Sequence, residues 1–120
     1  MTDLAGKRVL LMEDEVVIAF EAEAALSALG IEVFPAYRLQ AALELIKAES
    51  LDAAILDSNI HGERSDVVEE ALRLLNIPFV RATGYGNAES KSDGVPVIDK
   101  PYDGQKLEAA LREVLREVGQ

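Results

Sequence analysis

The 120-residue sequence predicts a single α/β domain, a parallel sheet wrapped by helices. Three observations lead there. Short apolar runs alternate with stretches of helical periodicity. The runs are four to six residues long, as expected of strands buried on both faces. Polar residues able to do chemistry close successive runs at the same end. Strands alternating with helices imply parallel pairing and right-handed crossovers.

The elements follow in order. Val9-Leu10-Leu11-Met12 is the first strand. Ile18, Ala22, Ala25 and Leu29 mark a first helix, with Glu21 and Glu23 off the stripe and Gly30 at the position where a helix ends in a left-handed residue. Ile31-Glu32-Val33-Phe34 is the second strand, ended by Pro35. Leu39, Ala42, Leu43 and Ile46 mark the second helix. Asp52 to Leu56 is the third strand. Val68, Ala71, Leu72 and Leu75 mark the third helix, with Ser65 as N-cap. Phe79 to Ala82 and Val95 to Ile98 are the fourth and fifth strands. Leu107, Ala110, Leu111, Val114 and Val118 mark the last helix, entered through Asp103. Between strands four and five, residues 84–94 hold three glycines, two serines and no apolar stripe. The expectation there is a mobile loop with at most one helical turn, so the fourth helix is shortened or absent.

Proline placement orders the sheet. Pro96 falls within the fifth strand and Pro35 closes the second, and proline is tolerated in sheets mainly at edges. An order 2-1-3-4-5 puts both strands at edges and strand one beside strand three. This is the flavodoxin-like doubly wound arrangement, in which ligands bind where the strand order reverses.

Composition narrows the function. There is no cysteine, which excludes disulfides, thiolate metal sites and cysteine nucleophiles and fits a reducing cytoplasm. No apolar stretch approaches a membrane span, and the N-terminus lacks the regions of a signal peptide. The net charge of -10 repels nucleic-acid phosphates, so no direct DNA binding is expected.

The strand ends supply the chemistry. Glu13 and Asp14 follow strand one, Asp57 follows strand three, Thr83 follows strand four, and Asp99 and Lys100 follow strand five. Each is ordinary alone, as a turn residue, a cap or compensation of a helix dipole. Glu13, Asp14 and Asp57, with Thr83 and Lys100, place three carboxylates, a hydroxyl and an ammonium at one end of the sheet. Carboxylates about 4 Å apart repel by roughly 4 kcal/mol at an effective dielectric near 20, so the cluster calls for protons or a cation. Oxygen ligands suit Mg2+. Asp14 and Asp57 are expected to bind it directly, Glu13 mostly through water, and the Asn59 backbone carbonyl as a further ligand. A metal-bound aspartate is also a nucleophile for phosphoryl transfer, with Lys100 and Thr83 placed to neutralise and hydrogen-bond the phosphoryl oxygens.

Over residues 7–118 the chain resembles the receiver domains of two-component response regulators. The resemblance rests on Val9-Leu10-Leu11-Met12-Glu13-Asp14-Glu15, Leu56-Asp57-Ser58-Asn59-Ile60-His61-Gly62-Glu63, Ala82-Thr83-Gly84-Tyr85 and Lys100-Pro101-Tyr102. It implies phosphorylation of Asp57 by a histidine of a sensor kinase or phosphotransfer protein. It implies Mg2+ at Glu13, Asp14, Asp57 and the Asn59 carbonyl, Thr83 and Lys100 as the phosphate-reading pair, and a cis Lys100–Pro101 bond. Ala82-Thr83-Gly84 is similar to a stand-alone subgroup with a Phe-Ala-Thr-Gly signature, except that Arg81 replaces the Phe. Many receivers carry an aromatic switch residue at the position of Val97, which leaves Tyr85 or Tyr102 for that role. His61 is expected to be an exposed loop residue. Arg81 has two readings, reaching the phosphoryl end of the sheet or pairing with an acid.

The leading function is a cytoplasmic single-domain phosphoacceptor switch, not an enzyme beyond its own phosphorylation and dephosphorylation. Its output is then binding of a downstream protein or onward relay of phosphate. By resemblance the partner surface is strand five, the last helix and residues 84–94, and the state is a monomer or weak homodimer. One competing reading is a Mg2+-dependent phosphatase with an aspartate nucleophile. Such enzymes commonly place a second acid two residues on, where this chain has Asn59. The other is an unphosphorylated pseudo-receiver that only binds partners.

Overall fold

The structure is a computed structural model that describes residues 4–57, 59–60, 63–84, 94–100 and 103–118. Its main sheet has five parallel strands: β1 (Arg8–Met12), β2 (Glu32–Ala36), β3 (Ala53–Asp57), β6 (Phe79–Thr83) and β7 (Val97–Asp99). A hairpin of β4 (Asn59–Ile60) and β5 (Glu63–Arg64) follows β3. Among the described residues the helices are α1 (Val16–Ala28), α2 (Leu39–Ala48), α3 (Asp66–Leu74) and α4 (Gly104–Val118). The sheet order is β2-β1-β3-β6-β7, the flavodoxin-like order expected from the prolines. The expected loop at 84–94 and the cis bond before Pro101 fall largely or wholly on residues outside those described.

Every residue of β3 is buried, as its unbroken apolar run requires of a central strand covered on both faces. Alternation divides the core into two layers. Val9, Leu11, Ile55 and Val80 pack on one face with Ala22 and Leu26 of α1 and Leu107, Leu111 and Val114 of α4. Leu10, Met12, Leu56 and Phe79 pack on the other with Ala42 and Ile46 of α2 and Val68 and Leu72 of α3. A one-residue slip of any of these strands would exchange the two layers, so burial on both faces fixes the register.

Several local expectations shift by a residue or two. β2 runs on through Pro35 to Ala36, and β7 begins at Val97, after Pro96, rather than at Val95, one residue before it. Both remain edge strands, where a missing N–H costs little. The Pro96 carbonyl still accepts from the Arg81 N–H at 2.9 Å. The buried stripe of α1 is Ala19, Ala22 and Leu26, about one residue round from the predicted one. The helix is apolar on nearly all sides, so periodicity could not fix its rotation. Ser65 stands at the N-cap of α3, but no side-chain hydrogen bond forms there. Its backbone carbonyl accepts from Val68 and Glu69 instead. Leu75 is exposed, and Glu69 takes a buried place in the stripe of α3. Asp103 does cap α4, its Oδ1 accepting from the Gln105 N–H at 2.7 Å.

Gly30 closes α1 at φ +84°, and a Cβ there would lie 2.9 Å from Ala5 Cβ. Its carbonyl also accepts from the Gly6 N–H at 2.8 Å. Gly30→Ala therefore combines left-handed strain with a steric clash. It is expected to destabilise the fold by about 1–3 kcal/mol, seen as a lower urea midpoint at unchanged slope.

Candidate functional site

The chain leaves β1 and β3 side by side at the carboxyl end of the sheet, with Met12 in register with Leu56. Glu13 and Asp57 therefore emerge as neighbours, and the turn into α1 adds Asp14. One carboxylate oxygen from each of the three lies within 4.8 Å of the others. Glu13 is fully buried, Asp57 nearly so and Asp14 half-buried. The Glu13 N–H donates to the Ala36 carbonyl at 2.9 Å, which fixes the backbone between β1 and β2. Glu13 Oε2 accepts from the Glu15 N–H at 3.0 Å, and Glu15 is the N-cap residue of α1. Glu13 thus faces the site and also holds the turn that presents Asp14.

Lys100 enters from the end of β7. Its N–H donates to the Thr83 carbonyl at 2.8 Å, which extends the β6–β7 ladder by one residue. Its Nζ lies 2.9 Å from Glu13 Oε1 and 2.9 Å from Asp57 Oδ2, with Glu15 Oε1 farther off at 3.8 Å. Burial is the largest single influence on the ammonium and favours losing its proton. The hydrogen bonds that the ammonium donates to Asp57 and Glu13, together with their charges, outweigh it, and the pKa ends above the ordinary 10.5. The lysine therefore stays a cation throughout the neutral range.

Thr83 is half-buried one residue beyond the β3–β6 ladder, which ends at the pair Asp57 and Ala82. Its hydroxyl donates to Asp99 Oδ1 over a long 3.5 Å. Thr83 and Asp99 are register partners on β6 and β7.

The two readings of Arg81 resolve in favour of the acid. Arg81 Nε donates to Glu69 Oε2 at 2.8 Å and Nη2 donates to Glu69 Oε1 at 2.9 Å, with both residues buried. Glu69 was not singled out in the sequence. Its signal was available, because residues 65, 68, 69 and 72 share one helical face and an acid there lies among buried neighbours. Val97 is half-buried opposite Arg81. Asn59 lies in the hairpin after Asp57. His61, Tyr85 and Tyr102 lie outside the described residues.

The site thus gathers carboxylates, an ammonium and a hydroxyl at the switch point of the sheet, a set suited to a hard cation beside an oxyanion. No family model matches the chain. The phosphate regulon transcriptional regulatory protein PhoB of Pseudomonas aeruginosa is 31% identical over 97% of this chain and 55% of its own length. A probable transcriptional regulator ycf27 of Guillardia theta is 31% identical over 95% of this chain and 48% of its own length. The chain spans about half the length of these curated relatives. Among solved structures, SdrG from Sphingomonas melonis Fr1 superposes with a TM-score of 0.80 at 35% identity, covering 96% of this chain and 99% of that one. A CheY-like response regulator receiver domain protein from Methanospirillum hungatei JF-1 superposes at 0.78 with 24% identity, covering 92% of this chain and 94% of that one, and speaks for the fold. Fold, site and relatives agree, and the chain belongs to the receiver domains of response regulators, the phosphoacceptor modules of two-component systems.

Proposed function

We propose that residues 1–120 form one receiver domain, with its core at 7–118, and that Asp57 is its phosphoacceptor. The observation that carries this reading is the convergence of Glu13, Asp14 and Asp57 with the Lys100 ammonium. The donor is a histidine of a sensor kinase or phosphotransfer protein. A carboxylate oxygen of Asp57 attacks phosphorus, a P–O bond forms as the P–N bond breaks, and the P–N bonding pair leaves with the imidazole as the lone pair of its ring nitrogen. Lys100, already against Asp57, offers a compact positive charge to the oxygens of the acyl phosphate. Thr83 turns its hydroxyl from the distant Asp99 carboxylate to a phosphoryl oxygen.

The donor set fits Mg2+, three hard carboxylate oxygens within one cation's reach. Glu13, Asp14, Asp57 and the Asn59 backbone carbonyl would hold it. When bound, Mg2+ would neutralise charge on the phosphoryl oxygens as the phosphoryl group passes to Asp57. Among the described residues no helix is long and apolar enough to cross a membrane. The phosphorylated state then acts on a downstream protein, or passes its phosphate on, through the face of β7, α4 and residues 84–94.

Two measurements test the chemistry. Incubation with Mg2+ and a small phosphodonor is expected to give a single phosphoryl adduct by intact mass. The adduct disappears in Asp57→Asn and when Mg2+ is chelated. An adduct that persists in Asp57→Asn defeats the assignment, and multiple turnover of unrelated phosphoesters would mark a phosphatase instead. Lys100→Met deprives buried Glu13 and Asp57 of their ammonium and is expected to lower stability in metal-free buffer by about 2–4 kcal/mol. Added Mg2+ narrows that gap in thermal midpoint, because a cation bound to the folded state alone stabilises it. A gap that ignores Mg2+ excludes these carboxylates as the metal site.

A further inference from the structure

Five polar or charged residues are buried among the described residues: Glu13, Asp57, Ser65, Glu69 and Arg81. The first two belong to the acid cluster, and the Ser65 carbonyl starts α3. Arg81 and Glu69 have no part in the chemistry above. Their fork is nevertheless well formed, with contacts of 2.8 and 2.9 Å, and exposures of 4% and 3%.

Taking two charges out of water costs several kcal/mol per ion, and apolar residues of similar volume fill such a site as well or better. What a fork adds is direction and distance, because guanidinium and carboxylate meet in one planar arrangement. Its location gives that rigidity a use. Arg81 is two residues before Thr83, so both side chains leave β6 on the same face. Thr83 lies past the last β3 partner, and beyond Arg81 its lateral support is the three-residue edge strand β7. Between them stands only Ala82, whose side chain faces the other way. Glu69 belongs to α3, the helix into which the chain runs after Asp57 and its hairpin. The fork therefore ties the strand that carries Thr83 to the segment that leaves the phosphoacceptor.

We propose that Arg81 and Glu69 are a positioning pair that sets the height of the Thr83 hydroxyl relative to Asp57. The proposal rests on the phosphoacceptor reading above. Its loss misplaces a donor that must reach a phosphoryl oxygen, and small misplacements of this kind are costly.

The test is Mg2+-dependent binding of beryllium trifluoride, a phosphoryl mimic, alongside thermal melting. Arg81→Met with Glu69→Met is expected to melt at or above the wild-type midpoint yet bind the mimic roughly tenfold more weakly. Thr83→Ala is expected to weaken binding in the wild type and to add little in the doubly substituted background, since coupled residues are non-additive. Wild-type affinity in the double variant, with Thr83→Ala costing the same in both backgrounds, would reduce the pair to a structural filler and overturn the proposal. Arg81→Lys keeps the charge without the fork and serves if the double variant fails to fold. It is expected to shrink the shift of the Thr83 amide resonance on mimic binding, and an undiminished shift overturns the proposal equally. A wild type that binds no mimic rejects the phosphoacceptor reading itself, a result separate from any effect of the variants.

Discussion

The Lys100 ammonium between Glu13 and Asp57 is the contact on which the active end of this molecule depends. Two buried carboxylates at the ends of adjacent strands repel each other strongly in a low-dielectric setting. A cation 2.9 Å from both makes their proximity tolerable. It comes from β7, the far edge of the sheet, so the β6–β7 pairing is needed to deliver it. The Lys100 N–H on the Thr83 carbonyl makes that delivery specific, because the ammonium and the Thr83 hydroxyl are set by the same stretch of ladder. Strand order thus becomes electrostatics: β1 and β3 bring the acids together, and β6 and β7 bring the counter-charge and the hydroxyl.

The architecture was legible because the strands are covered on both faces. Such strands appear as unbroken apolar runs, and Ala53 to Leu56 could hardly be anything else beside its flanking helical patterns. The edge positions were legible from Pro35 and Pro96, although both strands start or stop a residue or two from where proline alone would set them. The rotation of α1 was not legible. Val16, Val17 and Phe20 are exposed on a helix that also buries Ala19 and Ala22, and no hydrophobic period separates those two faces. The hairpin at Asn59–Arg64 was missed because two-residue strands are too short to show a period.

The site was legible to the extent that residue type and strand end decide it. Glu13, Asp14, Asp57 and Lys100 do converge. The second task of Glu13, accepting the backbone N–H of Glu15, depends on the shape of one turn and leaves no mark in composition. The partner of Arg81 required the helix and the strand to be placed together. Each half was odd alone, a cation in a buried strand and an acid on a buried helical face. A buried charge must be paired, so two oddities of opposite sign within twelve residues form one signal.

Thr83 and Arg81 share a strand but are held in opposite ways, and the contrast matters for a switch. At 3.5 Å the hydroxyl's bond to Asp99 is at the outer limit of hydrogen bonding and gains little. A phosphoryl oxygen would offer a charge-assisted bond roughly twice as strong as a neutral one. The hydroxyl would therefore give up little in turning to such an oxygen, and the energy of the new contact would not be consumed in breaking the old one. The strand beneath is different, since displacing Arg81 would break a buried two-bond fork to Glu69. A loosely held donor on a firmly held strand favours rotation of a side chain over movement of the sheet.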